Sequence, residues 1–187
     1  MPHPYAEPGT NEDSMPLVVL PLLLAIGALA GSLWLSLGMN LKACPLCLYQ
    51  RTFVMGVVGV LGVGVLTGQR YRGVLNHLAL PLTIAAVGVA GFHVFLEQTG
   101  KLECPAGILG VGTAPQQSLA LLTVLLIAVA GGVFGSGNAA TAASFGGVLL
   151  GGLFAWGSIA SAPPGLPIPT KAYETPLEMC RPPYEAN

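Results

Sequence analysis

Nine consecutive residues, Ala43-Cys44-Pro45-Leu46-Cys47-Leu48-Tyr49-Gln50-Arg51, bring two thiols, a phenol and a guanidinium into one short stretch. Two sulfurs separated by two residues fit within a single turn of chain. They are close enough to form a small disulfide ring or to share the charge of one thiolate. The thiolate is the form that attacks disulfides, and a Cys-x-x-Cys pair often holds one thiol of depressed pKa. The same pair also suits half of a metal site, or two small apolar side chains in a core. The motif alone leaves these readings open. Two further cysteines, Cys104 and Cys180, stand well apart along the chain.

Composition narrows the setting. The chain has 187 residues, 53% of them hydrophobic and only 8% charged, with a mean hydropathy of +0.72. A soluble domain carries about 25% charged residues, so this composition belongs to a membrane protein. A net charge of -1 and seven scattered Lys and Arg residues offer no basic surface, which excludes nucleic-acid binding.

The elements that must hold the dithiol follow from the apolar runs. Residues 1–14 are polar, with Glu7, Glu12 and Asp13 and neither lysine nor arginine. They lack the positive start of a secretory signal and read as a disordered cytosolic tail. Spans are expected at 15–37, 48–67, 74–95, 118–134 and 143–162, each near the ~20 apolar residues needed to cross the hydrocarbon core. Together they make residues 15–162 a transmembrane helical domain. The dithiol then falls in a short connection, 38–47, at the membrane surface.

The third span contains Asn76, His77, Pro81 and His93. Proline inside a spanning helix usually marks a kink. His77 lies near a headgroup layer, and His93 lies towards the end that shares a side with the dithiol. An ionisable residue inside the membrane is a functional candidate by default; a hydrogen-bonded packing histidine is the other reading. Residues 97–117 break the apolar pattern and carry Lys101, Glu103, Cys104 and a glycine-rich run at 107–112. No strand-helix unit accompanies that run, so it reads as a flexible loop on the membrane rather than a nucleotide site. Gly146, Gly147, Gly151 and Gly152 have the spacing that lets transmembrane helices approach closely. Beyond Ala162, Pro163, Pro164, Pro167, Pro169 and Pro176 favour an extended strap, so 163–187 is expected to be a proline-rich exoplasmic tail bearing Cys180.

Five crossings put the carboxy terminus opposite the amino terminus, and all four cysteines on the carboxy-terminal side. Disulfides persist in the exoplasmic compartment, so that side is expected to be exoplasmic. Arg70 and Arg72 then lie inside while Lys42, Arg51, Lys101, Lys171 and Arg181 lie outside, against the positive-inside rule. The expected orientation therefore rests on the cysteine chemistry.

Cys44-Pro-Leu-Cys47-Leu-Tyr49-Gln-Arg51 opening a second span, with a loop cysteine after the third, resembles the DsbB family of membrane disulfide-generating proteins over spans one to four. The resemblance implies an all-α membrane protein, here a four-helix transmembrane bundle plus a fifth helix. It implies a quinone, ubiquinone or menaquinone, bound beside the Cys44/Cys47 pair. Arg51 would be the quinone-side cation, with His93 as a second quinone-binding candidate. Cys104 is similar to the first cysteine of the pair that exchanges with a DsbA-like thioredoxin-fold periplasmic oxidant. The implied location is the bacterial inner membrane, with the cysteines facing the periplasm.

Two features depart from the family pattern. Gln50 stands where the family is often acidic, and Cys180 follows a fifth helix instead of sharing a loop with Cys104. A Cys44–Cys47 bridge would leave Cys104 and Cys180 to pair, with the strap carrying Cys180 back at ~3.1 Å per residue. A mobile tail would then bring its thiol towards Cys47, whose thiolate Arg51 and a helix amino terminus near Leu46 would favour.

Two other classes use the same residues. A copper- or zinc-handling membrane protein could use the cysteines with Met179 and His93, but their scattered spacing argues against a metal site. A transmembrane reductant relay would need a cytosolic electron entry, and the expected topology leaves no cysteine on that side.

Overall fold

The computed structural model describes residues 16–66, 72–134, 140–163, 166–167, 169, 171–174 and 176–184. The acidic tail expected to be disordered lies outside these residues, as do residues 67–71 and 135–139. Five helices follow in order: α1 (Pro16–Leu37), α2 (Pro45–Leu66), α3 (Arg72–Gln98), α4 (Ala114–Phe134) and α5 (Ala140–Ala160). All five are long and apolar enough to cross a membrane. Among the described residues there is no strand, only the isolated bridges Glu103–Arg181 and Ala106–Thr113.

Helix α3 is the centre of the bundle. It packs along α2, α4 and α5, while α1 rests on α2 and α4. In its apolar window 56% of residues are buried, against 17–28% in the other four helices. Its inward face is built from small side chains, including Ala79, Ala85, Ala86, Val89 and Ala90. Small residues let backbones approach where lipid supplies no hydrophobic drive between helices. Gly147 packs on Leu80 and Pro81, and a methyl at Gly151 would lie 2.8 Å from the Pro81 carbonyl. Gly146 and Gly152 meet open space, so half of the expected glycine stripe is packing surface. Leu20, Leu23, Trp34, Ile127, Phe145, Leu153 and Trp156 are exposed on the outside of the bundle, as suits a lipid-facing wall.

Several helix ends differ from the apolar runs, for local reasons. Helix α2 begins at Pro45 rather than 48, because proline suits the first helical position, where its missing N–H is no loss. The dithiol therefore straddles the end of the connection: Cys44 closes it, and Cys47 belongs to the first turn of α2. Helix α4 begins at Ala114 rather than 118, because Thr113 and Gln116 have capping-box spacing. The Thr113 N–H donates to Gln116 Oε1 at 3.5 Å, and the Thr113 carbonyl accepts the Gln117 N–H at 3.1 Å. Helix α3 runs to Gln98 and stops in a Schellman turn. The Lys101 N–H donates to the Leu96 carbonyl at 2.9 Å and the Gly100 N–H to the Glu97 carbonyl at 3.0 Å, with Gly100 at φ 70°. That stop sends the chain straight to Cys104.

The proline-rich strap returns over the same end of the bundle. Glu103 and Arg181 exchange backbone hydrogen bonds of 2.8 and 3.0 Å, and the Lys42 N–H donates to the Glu178 carbonyl at 2.8 Å. The Tyr173 hydroxyl donates to the Pro182 carbonyl at 2.8 Å, and the Arg181 guanidinium sits 3.7 Å above the Tyr173 ring. Five crossings predict opposite locations for the two ends of the last helix. Reporter fusions at 138 and 187 should therefore give signals from opposite sides of the membrane, and signals from one side would contradict a five-span topology.

Candidate functional site

Cys44 occupies the cap position of α2. Its carbonyl accepts the first helical hydrogen bond, from the Leu48 N–H at 3.0 Å. Its Sγ accepts the Cys47 N–H at 3.4 Å, so sulfur takes the place of the oxygen that usually caps a helix. The Cys47 Sγ lies 3.0 Å from the Cys44 Sγ, and neither is in a disulfide. A hydrogen bond from the Cys47 thiol lowers the Cys44 pKa most, burial opposes it, and His93 adds to it, leaving the value at about 4. The anionic charge that sequence reasoning assigned to Cys47 therefore falls, in this arrangement, on Cys44.

His93, on α3, is fully buried. Its Nε2 lies 3.7 Å from the Cys44 Sγ and 3.5 Å from the Cys104 Sγ, while its Nδ1 has no partner among the described residues. Cys104 and Cys180 form a disulfide across 76 positions of sequence. Cys44, Cys104 and Cys180 are all buried in one cluster with Leu46, Ala85, Val89 and Ala155, against which Cys47 packs. One imidazole thus stands between a reduced pair and an oxidised pair.

A pocket of about 160 Å³ opens beside Cys47, walled by α1, α2, the 105–108 loop and the start of α4. Arg51 and Gln50 line it. Arg51 is one turn beyond Cys47, and its guanidinium is held by α1: Nη2 donates to the Ser32 carbonyl at 2.9 Å and to Ser36 Oγ at 2.8 Å, and Nε to Ser32 Oγ at 3.1 Å. Gln50 is buried, and its Oε1 accepts the Ser118 hydroxyl proton at 2.7 Å. Its Nε2 is buried without a partner among the described residues. An orphaned amide donor and a fixed cation beside a mostly apolar pocket, whose wall also carries Lys42, Gln117 and Ser118, fit a ligand with carbonyl oxygens and an apolar body, such as a quinone. His93 does not line this pocket; it lies between the sulfur pairs instead.

Ser32, Ser36 and Ser118 were missed in the sequence. The available signal was the spacing of Ser32 and Ser36, four apart and hence on one face of an otherwise apolar helix. The 107–112 loop, expected to be flexible, closes on itself. The Gly107 N–H donates to the Gly112 carbonyl at 3.2 Å, and Gln117 Nε2 to the Val111 carbonyl at 2.8 Å.

A helical bundle with membrane-length spans and two facing cysteine pairs at one end defines a membrane thiol–disulfide protein. The family described as disulfide bond formation protein DsbB matches residues 14–125, and the chain belongs to that family. It is 32% identical over 90 residues to disulfide bond formation protein B of Burkholderia pseudomallei, covering 47% of this chain and 53% of that protein. To the protein of the same name from Nitrosococcus oceani it is 32% identical over 69 residues, covering 36% and 41%. To that of Cupriavidus metallidurans it is 30% identical over 86 residues, covering 44% and 53%. The matches thus span about half the length of these curated relatives. No solved structure matches. The family and these relatives share a name that denotes disulfide bond formation.

The cap geometry makes a pH prediction. In a Cys104→Ala/Cys180→Ala background with the remaining pair reduced, the alkylation rate of Cys44 should hold as pH falls and drop only near pH 4, where the thiolate takes up its proton. Cys47→Ala removes the strongest support for that thiolate, so the midpoint should move up towards the ordinary thiol range. Mass-spectrometric alkylation profiles measure both.

Proposed function

We propose that this protein reoxidises a soluble dithiol oxidase of the DsbA-like thioredoxin fold and passes the electrons to a quinone, with its cysteines facing the periplasm from the bacterial inner membrane. The observation that carries the reading is the single buried imidazole between the Cys44/Cys47 pair and the Cys104–Cys180 disulfide.

The sequence of steps follows thiolate exchange. A partner thiolate attacks the Cys104–Cys180 bond and forms a mixed disulfide. The partner's second thiol resolves it, leaving the partner oxidised and Cys104 and Cys180 reduced. Cys104 then loses its proton to His93 Nε2 and attacks Cys44 of the oxidised Cys44–Cys47 pair. The Cys44–Cys47 bond breaks, and Cys47 leaves as a thiolate into the pocket that Arg51 lines. Cys180 resolves the Cys104–Cys44 bond, which restores Cys104–Cys180 and leaves Cys44 and Cys47 reduced. That end state has the same bonding as the structure described above. A quinone, when bound, would supply the two-electron, two-proton oxidation by which Cys44 and Cys47 re-form their bond. Arg51 and the Gln50 Nε2 would hold its carbonyl oxygens, while Val54, Leu121 and Leu122 exclude water from its ring.

Arg51→Ala removes a charge-assisted contact worth about 1.5–3 kcal/mol. The apparent quinone KM should rise roughly tenfold or more, with partner KM unchanged, while Lys171→Ala should change neither. Equal effects from the two variants would make Arg51 a headgroup anchor. Cys180→Ala should abolish oxidation of the soluble partner, and full turnover in that variant would remove Cys180 from the relay.

A further inference from the structure

The scattered spacing that argued against a metal in the sequence is undone by the fold. The sulfur atoms of Cys44 and Cys47 and a ring nitrogen of His93 all lie within 4.8 Å of one another. We propose that the fully reduced protein binds a thiophilic divalent cation, Zn2+, through Cys44, Cys47, His93 and Cys104, and that the bound ion arrests disulfide exchange. The ligand set shares Cys44 and Cys47 with the proposed relay, on which the arrest of exchange rests, but binding of the ion itself requires no quinone.

The ligand distances carry the argument. Tetrahedral Zn2+, with Zn–S near 2.3 Å and Zn–N near 2.0–2.1 Å, sets its ligands about 3.8 Å apart for two sulfurs and about 3.6 Å apart for sulfur and nitrogen. The two sulfur-to-Nε2 separations here, 3.7 Å from Cys44 and 3.5 Å from Cys104, already match that edge. The Cys44 and Cys47 sulfurs, 3.0 Å apart, must move apart within one helical turn, and the Cys104 sulfur, which groups with His93 and Cys180 while its disulfide is intact, must turn towards them once that bond is open. Zinc needs thiolates and a neutral imidazole. Cys44 already lies in a thiolate-favouring cap, and an imidazole protonated at Nδ1 presents the Nε2 lone pair to the sulfurs. Three thiolates and one imidazole make the composition of a closed Cys3His site. The partly exposed Cys47 borders the open pocket and supplies an entry path.

Redox state gates the site. An oxidised Cys44–Cys47 pair offers no thiolate there, and an intact Cys104–Cys180 disulfide withholds the fourth ligand. Only a chain starved of oxidant, with both pairs reduced, presents the full set. Binding displaces thiol protons and ties up both nucleophiles, so the ion holds the chain reduced until it is removed.

The test uses the full chain in detergent, reduced anaerobically with a phosphine and titrated with Zn2+ against a chromophoric chelator. Reduced protein should take up one Zn2+ per chain, and protein with both disulfides formed none. Co2+ in its place should give thiolate charge-transfer absorption with intense tetrahedral bands. His93→Ala should weaken Zn2+ at least as much as the roughly 10–100-fold seen when even an outer partner of a ligand is lost. His93→Cys, which returns a ligand atom, should restore tight binding and so controls for a folding defect. Cys180→Ala should bind as the parent does. Equal affinity in the disulfide form, indifference to His93→Ala, or an octahedral cobalt spectrum would each overturn the proposal, and none of these bears on quinone binding.

Discussion

Helix α2 starts one residue after a cysteine because Pro45 fills the first helical position without loss, and the geometry of the site follows from that start. The amides of the first turn have no helical acceptors, and the one at Cys47 finds the Cys44 sulfur. A sulfur in that position takes up the positive end of the helix dipole and one directed N–H, so it is stabilised as an anion in a largely apolar surrounding. Cys47, three residues on, is turned towards the pocket, and Arg51 follows one turn below it. From that start Cys44 meets His93 on α3, and Arg51 meets Ser32 and Ser36 on α1.

The bundle supports this start from two directions. Helix α3, buried on several sides, carries His93 at the depth of the sulfurs, and its Schellman stop at Gly100 delivers Cys104 to the same level. Helix α1 contributes Ser32 and Ser36, which hold the Arg51 side chain in place with three hydrogen bonds. A long flexible cation fixed in this way loses less freedom on meeting a ligand than one left free in a headgroup layer.

Much of this was legible in the sequence. The five apolar runs gave the helices, because length and hydropathy decide a span with little help from tertiary contacts. Cys44, Cys47 and Arg51 were legible because their spacing on one helix fixes their relation. The partnership of Cys104 with Cys180 followed from topology, and the disulfide agrees with it. The helix starts at Pro45 and Ala114 were not, because caps are set by hydrogen bonds that apolar runs do not record. The place of His93 between the sulfur pairs was also hidden, since it depends on the rotation of α3 about its own axis. Likewise Gln50 and Ser118 meet across two helices, and nothing in either run marks them as partners.

The tail expected to be a mobile tether is in fact fastened on both sides of Cys180. The Glu178 carbonyl is bonded to the Lys42 amide, and Arg181 is paired through its backbone with Glu103. Opening the disulfide would leave these bonds in place, so the freed Cys180 thiol would stay beside Cys104 instead of diffusing on a leash. A thiol held in this way meets its target at a local concentration far above that of any soluble competitor. In the proposed relay a Cys104–Cys44 bond would thus be resolved by Cys180 from within the chain before a soluble thiol could reach it, which makes the strap a safeguard against diversion of that intermediate.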